Sequence, residues 1–540
     1  MYVEEIVSRR NNKRYRTVLI RESYRQKNRI LHRTVSNITN LPAALIAKIK
    51  RYLHGQTEEK ETTPKVASSN SREYGASRAF LMLARLLGLD RIIYSRNEQW
   101  REDALAMIVG RIVYQGSKLS LTNVYADTAL WELCGHAVGR RPDVEEHCYL
   151  PLDRLLKRQS EIQRALAGRH LGDGCLIYYD LTSSYLEGEY AGSELVAFGH
   201  NRDGKRGHEQ IAIGLLTNAA GCPVGVKVFR GNTSDQTTVL PQVQCLAEEY
   251  GLRDIIFAGD RGMLTPKRIA EVNESGFKTL TALTHHQLRG LLERKVIKLG
   301  LFDERNIAEI SDPEQPGIRY LLCKNPRTQA EETQTRRELV GKTEKALRKL
   351  AASRKRRTEQ ELSACVGSIL AKYKVGKFFS WRIQEGKLEF EVERQLMQDE
   401  EALDGCYVIR TDTDQKRLDK QEAVDSYRRL ALVERAFRNL KTVALEIRPI
   451  YHHLDRRICA HVFLCMLAYY VQWQAVQRLQ PLFRNDGEGK DRRWSWPVVI
   501  NRLSSIRTET LTLDGIPIEN VKTRPDEDQI RILELLGVKL

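Results

Sequence analysis

The 540-residue sequence predicts an α/β protein in which a sheet-forming core is interrupted by an inserted domain. Between residues 175 and 283, short apolar, β-rich runs alternate with segments that have helical spacing. Residues 331–374 are highly charged and carry apolar residues only at helical spacing, and a further β-rich run follows at 405–412. The charged stretch therefore separates two parts of one core.

The part of the chain before this core divides into a β-rich beginning and a helical region. Residues 1–72 combine alternating apolar segments with many Arg and Lys, and their last part, 56–72, is polar and indicates a linker. Apolar residues then recur at helical spacing through 73–168, which predicts an all-helical domain. Two separate regions thus precede the core.

The charge balance points to a polyanionic partner. Lys and Arg number 87 and Asp and Glu 70, so the net charge is 87 − 70 = +17, which favours nucleic acid or an anionic membrane surface. The longest apolar run, Val462–Val471, has 10 residues, about half of the roughly 20 that a membrane helix needs. The first residues lack the apolar stretch of a secretory signal. We therefore expect a cytoplasmic protein that binds nucleic acid and no membrane.

The first part of the core covers residues 169–288. Its predicted elements are strands Cys175–Thr182, Gln210–Thr217 and Pro223–Arg230, helix Asp235–Tyr250, strand Ile255–Asp260, helix Pro266–Ser275 and strand Lys278–Leu283. The turn sequence NAAGC joins the second and third strands as a hairpin. This order resembles the ribonuclease-H-like fold, whose first three strands form a meander before helices alternate with parallel strands.

The remaining chain is predicted as an insertion, the end of the core and an appendage. Residues 289–404 form the insertion domain, whose charged stretch indicates a solvated helical hairpin or, alternatively, a DNA-contacting or dimerising arm. Residues 405–483 complete the core and include an amphipathic helix at Ala423–Lys441. Residues 484–540 form a C-terminal helical appendage.

Two aspartates interrupt apolar strands of the core. Asp180 lies within YYDLTSS, and Asp260 lies at the carboxyl end of IIFAGD. A single strand-end aspartate is commonly a turn residue, but the predicted topology puts these two strands side by side. Because an uncompensated charge in such strands is costly, paired carboxylates there favour a site for Mg²⁺, which prefers oxygen ligands.

A third acid is predicted from the helix that follows the insertion. Glu434 lies seven residues after Tyr427 and seven before Lys441, and seven residues are close to two helical turns. The three side chains are therefore expected on nearly one helix face, which is also the pattern of an ordinary solvated face. Three acids in this fold would hold two divalent ions, one activating a water or 3′-hydroxyl and one stabilising the leaving oxygen of a phosphodiester.

Several motifs resemble insertion-sequence transposases of the DDE type, in the IS-four-like superfamily, within its branch that has long N-terminal regions. The family signature Y-x2-R-x3-E-x6-K is matched at Tyr427, Glu434 and Lys441, but Leu430 stands in place of its Arg. Arg428, Arg429 or Arg438 could substitute. The similarity covers nearly the whole chain, through VSNITNLP, YYDLTSSYLEG, NTSDQTTVLP, GDRGML, VERAFRNLK, LEIRPIYHHLDRRICAHVFLCMLAYY and DEDQIRILELLGVKL.

The resemblance implies a catalytic site, cofactors and DNA contacts. Asp180, Asp260 and Glu434 would be the catalytic and metal-binding acids, with two ions of Mg²⁺ or Mn²⁺. Tyr427 and Lys441 would contact the phosphates of the transposon end, and a homodimer on paired ends is expected. The cell compartment would be the prokaryotic cytoplasm, with association to the nucleoid on DNA.

Further basic residues are candidates for DNA contacts. Arg202, Lys205 and Arg206 lie in a loop between the first two core strands, which is either a solvated turn or a DNA-binding loop. Arg261 follows Asp260 and could pair with a carboxylate or a phosphate. Arg438 is a further candidate for a DNA contact.

The expected function is that of a DNA transposase acting on double-stranded DNA. It would bind the inverted terminal repeats of its element, cleave phosphodiesters there and join the 3′-hydroxyl ends to target DNA, with 1–72 and 73–168 as candidates for binding the ends. Two alternatives stay open: a catalytically inactive, transposase-derived DNA-binding protein, and a metal-dependent nuclease without strand transfer. The sequence contains no G-x-x-x-x-G-K-[ST] motif, which disfavours a phosphate-loop motor.

Overall fold

The described strands of the protein lie in one large sheet and in three smaller sheets. The computed structural model describes residues 1–540 apart from 11–12, 27–28, 56–65, 201, 203–206, 304–305, 354, 356, 441–446, 448–449, 485–491 and 514–515. The strands are β1 (Tyr2–Arg10), β2 (Lys13–Gln26), β3 (Arg29–Asn37), β4 (Val66–Glu73), β5 (Leu176–Tyr185), β6 (Gln210–Asn218), β7 (Pro223–Arg230), β8 (Ile256–Ala258), β9 (Lys278–Ala282), β10 (Ala308–Ser311), β11 (Arg319–Lys324), β12 (Phe379–Gln384), β13 (Lys387–Val392), β14 (Cys406–Thr411), β15 (Arg507–Leu513) and β16 (Ile516–Lys522).

The helices alternate with these strands in the middle of the chain and cluster before and after it. They are α1 (Ala43–Leu53), α2 (Gly75–Leu86), α3 (Leu89–Ile93), α4 (Gln99–Val113), α5 (Lys118–Asn123), α6 (Leu130–Leu133), α7 (Leu150–Lys157), α8 (Gln159–His170), α9 (Asp235–Gln244), α10 (Pro266–Glu274), α11 (His285–Glu293), α12 (Pro326–Ala351), α13 (Glu359–Tyr373), α14 (Arg394–Glu401), α15 (Lys420–Arg428), α16 (Ala431–Arg438), α17 (Asp455–Arg478), α18 (Gln480–Arg484), α19 (Trp496–Ser504) and α20 (Glu527–Leu536). The predicted α/β class is confirmed.

The chain divides into two compact units. The first comprises Met1–Gln159, Val443–Ile447 and Arg456–Leu540, and the second comprises Ser160–Thr442 and Arg448–Asp455. In the first unit, β1, β2 and β3 form an antiparallel meander. Its alternating apolar residues pack on α1 through a small core of Val3, Val18, Ile38 and Ile46, as expected for a sheet with one buried face.

The predicted linker at 56–72 is wrong for its second half. Residues 56–65 lie outside the described residues, but Val66–Glu73 forms β4, which pairs antiparallel with β15 in a sheet of order β16-β15-β4. Most of β4 is exposed and polar, so its hydrogen-bonding partner rather than its hydrophobicity holds it in a strand. That partner is more than 400 residues away in the chain, which is why local sequence gives no signal for it.

Helix α17 is the apolar centre of the C-terminal part of the first unit. Within the described residues it is the one helix that is long and apolar enough to cross a membrane, so the prediction that no segment could do so fails on length and composition. However, 83% of its most apolar window is buried inside the protein. Such burial is that of a core helix, because the apolar faces already have protein partners.

An eight-stranded sheet forms the centre of the second unit. Its order is β10-β11-β14-β9-β8-β5-β6-β7. Strands β5, β6 and β7 form an antiparallel meander, whereas β8 runs parallel to both β5 and β9. Residues on both faces of β5 and β6 are buried, which explains their nearly continuous apolar sequences.

The first part of the inserted segment adds two strands to this sheet, and the rest of the segment packs separately. β10 and β11 lie within the predicted insertion at 289–404, yet β11 pairs with β14 and extends the sheet. The charged stretch forms the hairpin of α12 and α13, which share a separate core with β12 and β13. The boundary at 289 is therefore wrong by about one hairpin, because β10 and β11 find their partner strand only after the insertion, in β14.

The helix predicted at Ala423–Lys441 is two helices in the described part of this segment. α15 ends at Arg428 and α16 begins at Ala431. Between them, Leu430 N donates to Tyr427 O at 3.0 Å and Val433 N to Leu430 O at 2.9 Å, so the chain is wound more tightly than an α-helix. The sequence contains no Pro or Gly there that would signal the break.

Candidate active site

Asp180 lies in the middle of β5 on the face of the sheet that carries α15 and α16. The odd-numbered residues Ile177, Tyr179 and Leu181 enter the core on the opposite face, and side chains alternate along a strand. Tyr178, on the same face as Asp180, donates its hydroxyl hydrogen bond to Ser426 O of α15 at 2.7 Å. Asp180 is half-buried, and its Oδ1 accepts from the Leu181 N–H at 2.7 Å.

Asp260 follows the end of β8, the parallel neighbour of β5. The register pairs Tyr178 with Ala258, and Asp180 and Asp260 each lie two residues further along. The two aspartates therefore lie at the same level, Asp180 within β5 and Asp260 two residues beyond the end of β8. Asp260 is exposed and begins a turn, where its carbonyl accepts from the N–H of Met263 and Leu264 at 3.0 and 3.1 Å.

Glu434 comes to the same face from α16, which packs against β5. The buried residues Val433, Ala436 and Phe437 anchor this helix, and Glu434 itself is exposed. The alternation of apolar and polar residues at helical spacing fixes this orientation. The three predicted acids, named here the acidic triad (Asp180, Asp260 and Glu434), thus belong to three separate elements of the second unit.

The acids of the triad influence one another electrostatically. Burial raises the pKa of Asp180 to about 7, with the Leu181 N–H and Arg202 opposing the shift. The negative charges of Asp260 and Glu434 are smaller contributions to this upward shift of the pKa, because like charges disfavour ionisation. Such a shift at a cleft is typical of functional sites. Asp180 is therefore a carboxylate whose ionisation is opposed mainly by burial and also by two neighbouring acids.

The triad is open rather than tightly closed. The carboxylate oxygens of the three acids are not all within 4.8 Å of one another. Among the described residues, the group of potential metal ligands that meets this distance lies elsewhere. Repulsion between like charges favours such spacing when no cation separates them. A site for two metal ions also needs acids that are spaced widely enough to reach both ions, because the two ions lie about 3.5–4 Å apart.

Tyr427 lies at the end of α15 and is half-buried beside the triad. Its pKa is raised to about 12, mainly by burial; the negative charge of Asp260 contributes to this increase, Glu434 contributes less, and Arg261 opposes it. The Tyr427 hydroxyl is consequently protonated at neutral pH and can donate a hydrogen bond. Tyr427 and Glu434 belong to two helices, not one. The charge of Asp260 nevertheless affects the pKa of Tyr427, and the charge of Glu434 affects the pKa of Asp180.

The predicted basic contacts have different surroundings. Arg202 forms an ion pair with Asp235 at the start of α9, and its backbone N–H donates to Ser183 Oγ at 3.0 Å. Arg261 and Arg438 are exposed. Lys205, Arg206 and Lys441 lie outside the described residues. Of the residues considered in place of the signature Arg, Arg428 donates to the Tyr407 hydroxyl at 3.1 and 3.3 Å.

A polar cavity of about 300 Å³ adjoins the triad. Leu181 and Gly262, which follow Asp180 and Asp260 in the chain, line it together with Ser183, Arg202 and Asp235. Sequence reasoning did not select Ser183 or Asp235 as site residues. The signal was present in the family-like motif NTSDQTTVLP, whose aspartate is Asp235, but a polar turn before a helix has an ordinary capping explanation.

Sequence comparison assigns the chain to a family. The sequence model of the transposase DDE domain matches residues 175–471, more than half of the chain, and therefore the protein belongs to the DDE transposases. Residues 4–69 match the N-terminal domain of IS1634 family transposases. The resemblance predicted from the motifs, an insertion-sequence transposase, is confirmed.

Comparisons with individual proteins add little to this assignment. No curated protein matches the chain. A solved structure of the piggyBac transposase synaptic complex with hairpin DNA matches with 8% sequence identity and a TM-score of 0.36, over 79% of this chain and 75% of that one. The family assignment therefore rests on the two sequence models.

Proposed function

We propose that this protein is an active DNA transposase. It binds the inverted terminal repeats of its insertion sequence, cleaves phosphodiesters at the element ends and joins the resulting 3′-hydroxyl ends to target DNA in the cytoplasm. The observation that carries the proposal is the acidic triad, in which burial and two neighbouring carboxylates raise the pKa of Asp180 to about 7. A DNA-binding protein without catalysis would have no reason to keep three acids in mutual repulsion.

The strand order supports a ribonuclease-H-like core for this enzyme. The order β7-β6-β5-β8-β9, with an antiparallel meander followed by two parallel strands, matches the topology expected of that fold. We propose residues 169–288 and 405–483 as its two parts, extended at one edge by β10 and β11. The remaining proposed domains are 1–72 and 73–168 for DNA binding, the α12–α13 hairpin as an insertion, and 484–540 as an appendage.

The donor set of the triad fits divalent metal ions. Asp180, Asp260 and Glu434 offer only carboxylate oxygens, the ligands that Mg²⁺ and Mn²⁺ prefer. The bound ions would supply the positive charge that activates the attacking oxygen and stabilises the leaving oxygen. The triad would hold them, and the repulsion seen in Asp180 is the charge excess that they would neutralise.

Neighbouring side chains would position the DNA backbone over the triad. Tyr427 keeps its proton at neutral pH, so it acts as a hydrogen-bond donor to a phosphate rather than as a base. Exposed Arg261 would contribute charge-assisted hydrogen bonds to phosphate oxygens. Lys441, Lys205, Arg206 and Arg438 are proposed phosphate contacts from sequence, and Arg202 holds the adjacent loop through Asp235.

The N-terminal region supplies charge for binding the element ends. Residues 1–55 contain 13 Lys and Arg against three acids. All three acids form ion pairs, Glu5 with Arg16, Glu4 with Arg21 and Glu22 with Arg33. The remaining positive charge of this region favours a phosphate backbone. A homodimer on paired ends is part of the proposal.

Cleavage of labelled element-end DNA by Asp180→Asn tests the proposed function. Asn keeps the shape of the side chain but loses the charge that would hold a metal. The variant should bind end DNA with nearly wild-type affinity and produce neither nicks nor joined products in Mg²⁺. Cleavage at the wild-type rate by this variant would remove Asp180 from the site.

The wild-type protein in the same assay separates the alternatives. Binding without nicks would favour the inactive DNA-binding protein, and nicks without joined products would favour a nuclease. Nicks followed by joined products are the result expected of a transposase.

A further inference from the structure

The helical part of the first unit contains a group of potential metal ligands that the proposed DNA chemistry does not use. Asp103 of α4, His136 in the loop after α6 and His147 before α7 each offer one ligand atom within 4.8 Å of the other two. We call these three residues the Asp103 cluster. Asp103 Oδ1 lies 2.6 Å from His136 Nε2, and its Oδ2 lies 3.3 Å from His147 Nδ1.

The carboxylate of Asp103 is deeply buried and has no basic residue of its own. It is 2% exposed, and within the described residues its ion-pair partners are the two histidines alone. The adjacent Glu102 is different, because Arg85 and Arg101 both pair with it. A buried carboxylate is costly unless hydrogen bonds or a counter-charge compensate it. A cation held between this carboxylate and the two imidazole nitrogens, which lie within 4.8 Å of one another, would supply such a counter-charge.

The surroundings hold the ligands of the Asp103 cluster in place. Gln99 Nε2 donates to Asp103 Oδ1 at 2.8 Å and to Cys134 O at 2.9 Å, which fixes the carboxylate. The second ring nitrogen of His147 faces Glu146 Oε2 at 3.7 Å. Histidines that bind metals commonly present their other nitrogen to a carboxylate, which orients the ring. The edge of the His136 ring meets Trp131, with centroids 5.2 Å apart.

The backbone departs from regular helix where it delivers these ligands. His147 lies in a π-helical turn, Glu145–Tyr149, directly before α7, and such turns occur frequently at functional sites. Gly135 has a φ of +92°, which allows the chain to reverse after α6 and bring His136 back towards α4. The two distortions lie next to the two histidines that face Asp103.

We propose that the Asp103 cluster binds one Zn²⁺ ion. Two imidazole nitrogens and one carboxylate oxygen form a donor set that suits zinc, whereas Mg²⁺ prefers oxygen alone. The ion would pin the exposed loop between His136 and His147, which includes the exposed Arg140 and Arg141, onto the buried helix α4. This site is distinct from the acidic triad in ligands and in metal, and it does not depend on transposase activity.

Zinc binding by the full-length protein tests this proposal. The background is the double variant Asp180→Asn with Glu434→Gln, which disables the oxygen site. After removal of metals with a chelator, Zn²⁺ is titrated by calorimetry and metal content is counted. We expect one zinc per chain and a higher thermal unfolding midpoint with zinc, because a ligand of the folded state stabilises it.

Substitutions of the ligands distinguish the site from adventitious binding. His136→Gln and His147→Gln should each weaken zinc binding more than about tenfold, since even outer-shell changes cost about 10–100-fold, and should lose the zinc-dependent rise in midpoint. The control His54→Gln, at an exposed position, should behave as the background does. His147→Cys should retain the metal, and with Co²⁺ as probe it should add a thiolate-to-metal absorption band.

Two results would overturn the zinc site. Absence of stoichiometric zinc in the background variant would mean that the Asp103 cluster is a hydrogen-bonded group that binds no metal. Zinc binding that is unchanged by His136→Gln and His147→Gln would mean that the ion binds elsewhere.

Discussion

The acidic triad and the Asp103 cluster place carboxylates in opposite electrostatic situations. In the triad, Asp180 is repelled by Asp260 and Glu434 as well as penalised by burial. Asp103 is more deeply buried, yet both of its oxygens face histidine nitrogens. The triad would hold cations for catalysis, whereas the ion proposed for the Asp103 cluster would stabilise the folded structure. Strain of the first kind is expected where function opposes stability.

The largest expected effect of breaking the triad is on catalysis. Glu434→Gln should reduce cleavage of element-end DNA more than about 100-fold, because loss of a direct metal ligand exceeds the roughly 10–100-fold cost of losing an outer-shell partner. DNA affinity should change little. The matched control is Glu422→Gln on α15, which changes an exposed acid. The helix cap uses the backbone N–H of Glu422, which donates to Asp419 Oδ1, and not the side chain of Glu422.

The assay for Glu434 measures initial cleavage rates in Mg²⁺ and DNA binding by mobility shift in parallel. Equal losses in both variants would indicate a general effect of acid removal in this region. Retained activity in Glu434→Gln alone would transfer the third-acid role to another residue.

Replacing the aspartate of each site by asparagine should change the stability of the folded protein in opposite directions. Asp180 has a folded-state pKa of about 7, whereas an unfolded aspartate has a value of about 3.9. The folded protein thus binds more protons between these values, and the stability contributed by this group falls as pH rises from about 4 to about 7. Asp180→Asn should therefore be more stable than the metal-free wild type at pH 7, with the difference closing below about pH 4.

Asp103→Asn should instead be less stable than the wild type at pH 7. It loses the charged partner of two histidines, and a hydrogen bond to a charged group contributes about 1.5–3 kcal/mol. Thermal midpoints of both variants across this pH range, in chelator, measure the comparison. Destabilisation by both substitutions would contradict the contrast between a carboxylate repelled by other acids and a carboxylate in contact with two histidines.

A smaller effect is expected from the basic N-terminal sheet. Arg25 pairs with Ile30, and Arg29 pairs with Gln26, at the end of the β2–β3 hairpin. Both arginines are exposed. Reversing them to Glu should flatten the logarithmic salt dependence of end-DNA binding by about 0.9 for each lost phosphate contact. Arg16→Gln, which removes an arginine already paired with Glu5, is the control with a smaller change.

The salt dependence is measured by titrating end DNA at several salt concentrations. An unchanged slope in the double reversal would mean that this hairpin does not contact phosphates. The same measurement on Lys205→Glu with Arg206→Glu tests the core loop separately.

The sequence predicted the centre of the large sheet well because local pattern and burial agree there. Strands β5 and β6 are buried on both faces, so their apolar runs are nearly continuous and Asp180 stands out as an exception. The parallel register of β5 and β8 then follows from topology, and it brings Asp260 level with Asp180. These two acids were accessible to sequence reasoning for that physical reason.

Other features depend on partners that are distant in the chain. β4 is polar and is held by β15, and β10 and β11 join the sheet through β14. The tight turn between α15 and α16 has no Pro or Gly to announce it. The Asp103 cluster was invisible because its ligands have no regular spacing and each has an ordinary explanation alone. Tertiary contacts, not local propensity, decide all four.

Replacement of each triad acid by cysteine tests the central claim most directly. A thiolate is a poor ligand for Mg²⁺ but is better accepted by softer divalent ions. Cleavage of element-end DNA by Asp180→Cys, Asp260→Cys and Glu434→Cys should be lost in Mg²⁺ and partly recovered in Mn²⁺, with Glu422→Cys active in both. Full Mg²⁺-dependent cleavage by any of the three triad variants would contradict a metal site formed by Asp180, Asp260 and Glu434.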